Sequence, residues 1–316
     1  MSKPRLLMPA AGRKVLLMQA LEKYFKVYPC GLPPRGMAAC CLAGQGRFVE
    51  QPRSDSPEFG KWLLDTVDRI GINVVLPVRD QDMMPLDVLR GELTGHNVDL
   101  VLSPWETIQV CNDKLTMSLH VKTPPTMLAS AWRKMDRFPL FVKDRCGAGS
   151  RVAQVVRTPE ELGAMMVYHD DLVVQPVLKG QEYTADLFFD WDGKLIDLVV
   201  RRRMDVLNGQ MDYGETVDSG FAAEICHLPL QFVGPINVQF FETDHGLFIT
   251  DINIRFSGGI GLTIASGADF ALYLYQMVTR QEIVHRESAI GTRAIGYADY
   301  VFDVPGRGVV RGIKEL

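Results

Sequence analysis

The chain has 316 residues, 47% of them hydrophobic, which is enough to bury a large core and suggests about two or three domains. Its formal net charge is −4, and its longest basic run is Arg201-Arg202-Arg203, too short for an electrostatic stripe; nucleic acid and anionic membranes are therefore not expected partners. The six cysteines, at 30, 40, 41, 111, 146 and 226, make no CxxC, no Cys/His metal spacing and no disulfide-like framework, and fit reduced thiols in a cytoplasmic protein. The opening MSKPRLLMPAAGRKVLLM breaks its apolar run at Gly12, Arg13 and Lys14 and lacks a signal-peptide layout. No stretch reaches the roughly 18 to 20 uninterrupted apolar residues of a membrane helix, so a soluble protein is expected.

The first hundred or so residues alternate strand and helix. Residues 5–9 (RLLMP) read as a short buried strand, followed by a tight turn at Ala10-Ala11-Gly12-Arg13 and a helix over 15–24 with apolar residues at helical spacing. Residues 26–31 give a second strand, 57–70 an amphipathic helix stopped by Gly71, 73–78 a buried strand, 85–93 a helix and 99–103 another strand. Such repeats argue for a parallel sheet covered by helices, with functional groups gathered at strand C-termini, where Gly12, Arg13, Asp80 and Asp82 fall. There is no GxGxxG, so a dinucleotide is not indicated. Asp80 and Asp82 serve equally well as helix N-caps or as substrate contacts.

Past residue 110 the pattern changes. Residues 111–121 read as a helix capped by Asn112 or Asp113, with Lys114 in its first turn. Two strands, 140–143 and 152–156, flank a Gly147-Ala148-Gly149-Ser150 turn that can offer backbone N–H groups to an anion, with Lys143 adding a point charge, or that is simply a small-residue hairpin with no ligand. A strand over 172–177 precedes a hairpin of 182–189 and 195–202 about Asp192-Gly193. Glu182, Thr184 and Asp186 share one face of it, readable as a cleft wall or as solvent-exposed polar surface.

The segment QFFETDHGLFITDINIRFSGG, residues 239–259, reads as a further hairpin. Asp251, Asn253 and Arg255 alternate with Ile252 and Ile254 and so share one strand face. If Asp244-His245-Gly246 is a three-residue loop with Gly246 left-handed, Gln239 lies opposite Asp251. A carboxylate and two amides beside a guanidinium suit Mg²⁺ on polyphosphate oxygens, with the arginine holding a phosphoryl group, and read equally well as the exposed polar face of an ordinary hairpin.

Together these pieces resemble the ATP-grasp superfamily in its carbamoyl-phosphate-synthase-like branch, over nearly the whole chain and in the family's order; INIRFSGG is the most specific match. The resemblance implies an α/β fold: a Rossmann-like pre-ATP-grasp domain over 1–110, then a two-subdomain α+β ATP-grasp fold, with the glycine loop in 111–177 and the metal site in 178–316. It implies that ATP is bound by Lys114, Lys143, Gly147, Gly149, Ser150, Gln175, Val177 and Glu182. Gln239, Asp251 and Asn253 would hold Mg²⁺, or Mn²⁺ in its place, and Arg255 would contact the transferred phosphoryl group. Arg203 would hold the substrate carboxylate or acyl phosphate, against an equally weighted reading of Arg201 to Arg203 as a solvated strand end.

Two positions depart from the pattern. Asp251 stands where the family has Glu, and Asp144 where it usually has Pro, placing a carboxylate near the phosphates. The activity implied is ligation of a small-molecule carboxylate to an amine through an acyl phosphate, giving ADP and phosphate in small-metabolite or dipeptide-like biosynthesis. An ATP-grasp kinase and a nucleotide-binding pseudoenzyme are the alternatives, and similarity to the ATP-grasp proteins that accompany tellurite-resistance operons is also open. A homodimer would be usual for the fold family.

Overall fold

The computed structural model describes residues 2–32, 47–135, 137–147, 152–207, 210–218, 220, 222–296, 301–304 and 308–311, with 206, 207, 210 and the last two segments described by backbone alone. The N-terminal unit contains strands β1 (Arg5–Met8), β2 (Lys26–Gly31), β3 (Val49–Glu50), β4 (Val74–Val75) and β5 (Asp99–Leu100). Its helices are α1 (Val15–Glu22), α2 (Phe59–Ile70), α3 (Met83–Val88) and α4 (Arg90–Gly95). The five strands pair in parallel in the order β3-β2-β1-β4-β5. The chain thus leaves β1 toward one edge and returns through β4 toward the other, and the crevice at the carboxyl ends of β1 and β4 is a topological switch point.

The expected elements are present, with different limits. Gly71 ends α2 in the left-handed conformation (φ 70°), which glycine adopts at low cost. The helix expected over 85–93 is two short ones that meet at Leu89, and it starts earlier, with Pro85 in a first turn that needs no N–H partner. Likewise α5 (Trp105–Asn112) and α6 (Lys114–Met117) replace the single helix expected over 111–121. They are separated by Asp113, which is extended (φ −112°, ψ 109°) and bridges to Cys146.

A lobe follows in which β6 (Met127–Leu128), β7 (Leu140–Asp144), β8 (Ala153–Val156) and β9 (Leu172–Pro176) form an antiparallel sheet ordered β6-β9-β7-β8, with α7 (Pro159–Tyr168) on it. The third unit is a six-stranded antiparallel sheet of β10 (Gln181–Phe189), β11 (Leu195–Leu207), β12 (Gln210–Val217), β13 (Gly234–Thr243), β14 (Gly246–Asn253) and β15 (Arg293–Ile295), in the order β14-β13-β10-β11-β12-β15. Helices α8 (Ala222–Cys226), α9 (Ile260–Ala265) and α10 (Phe270–Val278) accompany it, and β16 (Val301–Val304) and β17 (Gly308–Arg311) form a hairpin. Among the described residues no helix is long and apolar enough to cross a membrane.

The cores show how these units combine. One apolar cluster joins Leu7, Leu63 and Leu102 of the N-terminal unit to Ala185, Val238 and Ile252 of the six-stranded sheet. A second joins Leu6, Met18 and Val74 to Phe188, Phe256 and Tyr273. The four-stranded lobe packs on its own cluster around Val142, Leu162 and Val174. The first and third units are therefore one packed body, and the lobe stands over its face.

Candidate active site

A cavity of about 540 Å³ lies between the lobe and the six-stranded sheet and is reached by the N-terminal unit through Lys14. The sheet register sets its layout. Glu182 of β10 lies between Phe241 of β13 and the Arg203 region of β11. One step along, Asp251, Gln239, Thr184 and Arg201 run across four strands as one row. One step further, Asn253, Asn237 and Asp186 form a third row. Same-face rows are two residues apart, about 7 Å along a strand. The first end of the cavity is apolar, lined by Phe141, Val152, Pro176, Val177, Leu178 and Phe241, and the far end is charged.

Lys114 and Lys143 enter from the lobe side. Lys114 Nζ donates to the Gly147 carbonyl at 2.9 Å and lies 3.8 Å from Asp251 Oδ1. Lys143 Nζ donates to the Thr250 carbonyl at 2.8 Å. Burial lowers the Lys143 pKa to about 8, with Asp251 opposing the shift and Lys114 adding to it. Asp113 fixes the backbone that carries Lys114: its carboxylate accepts from the N–H groups of Leu115 and Thr116 and from Arg145. Burial alone would raise the Asp113 pKa, but the Arg145 and Thr116 hydrogen bonds outweigh it and hold the carboxyl at about 2. Gln175 is buried and donates to Thr126 at 2.7 Å. Gly147 lines the cavity, whereas Gly149 and Ser150 lie outside the described residues.

Asp144 has a structural task. Its carboxylate accepts from the Val152 N–H at 3.2 Å, and its own N–H donates to the Val152 carbonyl at 3.3 Å. It ties together the two stems of the segment where the glycine loop was expected.

The register expected for the 239–259 hairpin is present, by a different route. Gln239 pairs with Asp251, but Thr243 pairs with Gly246, so the loop is only Asp244-His245. The extra residue is Thr250, in a β-bulge opposite Gln239 and Phe240. The bulge lets consecutive Thr250 and Asp251 both line the cavity while Ile249 and Ile252 both stay buried. It also leaves the Thr250 carbonyl free to accept from Lys143.

Asn253 Nδ2 donates to Asp251 at 3.1 Å, and its Oδ1 accepts from Arg255 at 3.0 Å. Gln239, Asp251 and Asn253 are thus brought together at the charged end. Among the described residues no cluster of three or more His, Cys, Asp or Glu exists that could cage a metal by itself. One carboxylate with amide oxygens beside two lysines fits a Mg²⁺ that takes its remaining ligands from phosphates and water.

Arg255 Nε donates to Asp80 Oδ2 at 2.6 Å, so Asp80 neither caps a helix through its side chain nor stands free. Asp82 is buried and paired with Arg79. Arg203 faces the cavity, but its guanidinium is paired with Glu182, in the first row, away from Asp251. The arginine in the Asp251 row is Arg201. Thr184, Asp186 and Arg201, readable in sequence as exposed polar surface, are buried, with Asp186 and Arg201 each 1% exposed. Asp186 accepts from Arg201 at 2.9 and 3.1 Å and from Asn237 at 3.1 Å, and it also accepts from Thr263. Arg201 also donates to Ser257 at 3.0 Å, and a Cβ on Gly259 would lie 2.2 Å from its Nη1, so this guanidinium shapes the Ser257-Gly258-Gly259 turn. The alternation from Glu182 through Asp186 was the available signal; burial of the partner strand was not visible in it.

Lys14, at the end of the β1–α1 turn, lines the cavity. Burial, with a contribution from Arg255, lowers its pKa to about 8 against the opposing pull of Asp80.

Solved structures share this fold. N5-carboxyaminoimidazole synthetase from Staphylococcus aureus, complexed with ADP, superposes with a TM-score of 0.73 at 15% identity over 91% of this chain and 81% of that one. N5-carboxyaminoimidazole ribonucleotide synthetase from Thermus thermophilus gives 0.68 at 20% identity over 89% and 79%. L-amino acid ligase from Bacillus licheniformis gives 0.67 at 13% identity over 90% and 78%. No curated protein matches the chain. A parallel-sheet unit joined to two antiparallel sheets around a lysine-rich cavity is thus the fold this chain shares with these solved structures. Residues 168–296 match the family described as ATP-grasp in the biosynthetic pathway with Ter operon.

Proposed function

We propose that the chain is an ADP-forming carboxylate–amine ligase. The observation that carries this reading is the row Asp251, Gln239, Thr184 and Arg201, flanked by Lys114, Lys143 and Arg255, with an apolar clamp at the other end of the same cavity. The adenine would lie between the lobe and Phe241, near the backbone of residues 175–177, and Glu182 would meet the ribose. Lys114 and Lys143 would hold the triphosphate. Gln239, Asp251 and Asn253 would hold Mg²⁺, which supplies charge neutralisation on the phosphate oxygens.

Phosphoryl transfer asks the protein for position and charge rather than for a covalent nucleophile. A substrate carboxylate oxygen attacks the γ-phosphorus, and the bond to the β-bridging oxygen breaks with ADP as leaving group. Arg255 and Arg201 stabilise the negative charge on the moving phosphoryl group. An amine nitrogen then attacks the acyl carbon; inorganic phosphate leaves and the nitrogen loses a proton. The pairing of Arg203 with Glu182 supports an orienting role for Arg203 at the ribose acid, with the phosphoryl-end role falling to Arg201.

The test is ADP release with a panel of carboxylates and amines, with hydroxylamine as trap. A hydroxamate formed in step with ADP supports the ligase. ADP formed with a phosphorylated product and no hydroxamate points to a kinase, and no ADP under any pair contradicts catalysis.

A further inference from the structure

Each cationic group in the cavity has an ion-pair or hydrogen-bond partner, with one exception. Arg203 is paired with Glu182, Arg201 with Asp186 and Arg255 with Asp80. Lys114 and Lys143 donate to carbonyls and lie near Asp251. Among the described residues lining the cavity, the Lys14 ammonium alone has neither a hydrogen-bond acceptor nor a carboxylate within ion-pair range. Asp80, the carboxylate whose charge acts on it, is already held by Arg255 at 2.6 Å, so Lys14, Arg255 and Asp80 together carry one surplus positive charge.

The place is as informative as the charge. Lys14 follows β1, and Asp80 follows β4, so both stand at the switch-point crevice of the parallel sheet, where such sheets bind ligands. The turn also lies against the C-terminal unit: Leu16 packs on Gly261 at the start of α9, so closely that an added Cβ there would lie 3.0 Å from it. A cation in a half-buried position without a partner is costly unless a ligand supplies the anion.

We propose that Lys14 docks a second, non-reacting anionic group of the acid substrate, so that the acid is a dianion: a dicarboxylate, or a carboxylate bearing a phosphate. The assignment rests on the ligase reading for the position of the reacting carboxylate, near Arg255 and Arg201. Ligands that end in an apolar chain would leave the Lys14 charge buried and uncompensated. Acids with a second anion would be selected over acids of equal length without one.

The experiment is calorimetric binding to the full chain with Mg²⁺ and a non-hydrolysable ATP analogue present. Succinate is compared with butyrate, glutarate with valerate, and O-phosphoserine with serine. The wild-type protein should bind at least one dianion about tenfold or more tightly than its matched partner, the scale of a hydrogen bond to a charged group. Lys14→Met should remove the preference and Lys14→Arg retain it, with the unliganded melting temperature checking that both are folded. The pair that shows the preference identifies the second anion as carboxylate or phosphate. Equal binding within every pair, including no binding of any, or a Lys14→Met protein that keeps the preference, overturns the proposal. Nucleotide-analogue binding measured without acid is read separately: its loss would strike the ATP-site reading, whereas its presence with no dianion preference strikes the Lys14 assignment alone.

Discussion

At the scale of single residues, the site depends on charges that are buried and paired. Asp186 and Arg201 lie at the charged end of the cavity, with Asn237, Thr263 and Ser257 completing the network. Removing one partner from such a pair leaves an uncompensated charge where water cannot reach it. Asp186→Ala is therefore expected to cost about 3–5 kcal/mol in urea unfolding. A loss under about 1 kcal/mol would mean that Arg201 finds another acceptor. Sequence alternation placed Asp186 on the correct face of β10, but it could not tell a cavity wall from a solvated one. That difference is made by β11, β13 and the segment around Thr263, all distant in sequence. Asp144 is a similar case: it was legible as a carboxylate beside the phosphate lysine, and only the pairing of β7 with β8 shows that it binds the Val152 N–H.

At the scale of elements, short devices position long side chains. The Thr250 bulge gave the hairpin its expected register, although the loop has one residue fewer than the sequence suggested. Patterning fixes which face is buried and hence which residues oppose each other, whereas it does not say where an extra residue is absorbed. The Asp113 cap is a second device, because it ends one helix and begins the next at Lys114. Its folded pKa of about 2 lies below the ordinary aspartate value of about 3.9. An acid with a depressed folded pKa contributes stability above its unfolded pKa and loses that contribution as pH falls through its folded value. Wild-type stability should therefore drop between about pH 4 and about pH 2 through this residue. Asp113→Asn keeps a capping side chain and should flatten that part of the curve, measured by urea midpoints across the range. An unchanged acid limb would remove Asp113 from the account.

At the scale of the whole molecule, the alternation of strand and helix over the first hundred residues was enough to give a parallel sheet. It was not enough to show that this sheet shares its two cores with the six-stranded sheet while the four-stranded lobe keeps its own. Such sharing depends on contacts like Tyr24 with Asp269 and Thr107 with the Gln231 carbonyl, which no local pattern encodes. The lobe meets the rest across the cavity, where Lys143 reaches Thr250, as well as through Arg145 and Asp113, so a ligand in the cavity should couple the two bodies. Amide exchange in β7 to β9 should slow by about tenfold or more when Mg²⁺ and a non-hydrolysable ATP analogue are added. Exchange that slows only in the N-terminal sheet would place the nucleotide elsewhere.

The central claim, that this cavity is a Mg²⁺-nucleotide site built on Asp251, needs no knowledge of the acid or the amine. Its most direct test is calorimetric binding of the ATP analogue to wild-type and Asp251→Ala protein, with Mg²⁺ and with chelator. Wild-type protein should bind about tenfold or more tightly with Mg²⁺ than without, and Asp251→Ala should lose that difference while still binding the metal-free analogue. Equal Mg²⁺ dependence in the two proteins, or no nucleotide binding by wild type, would contradict it.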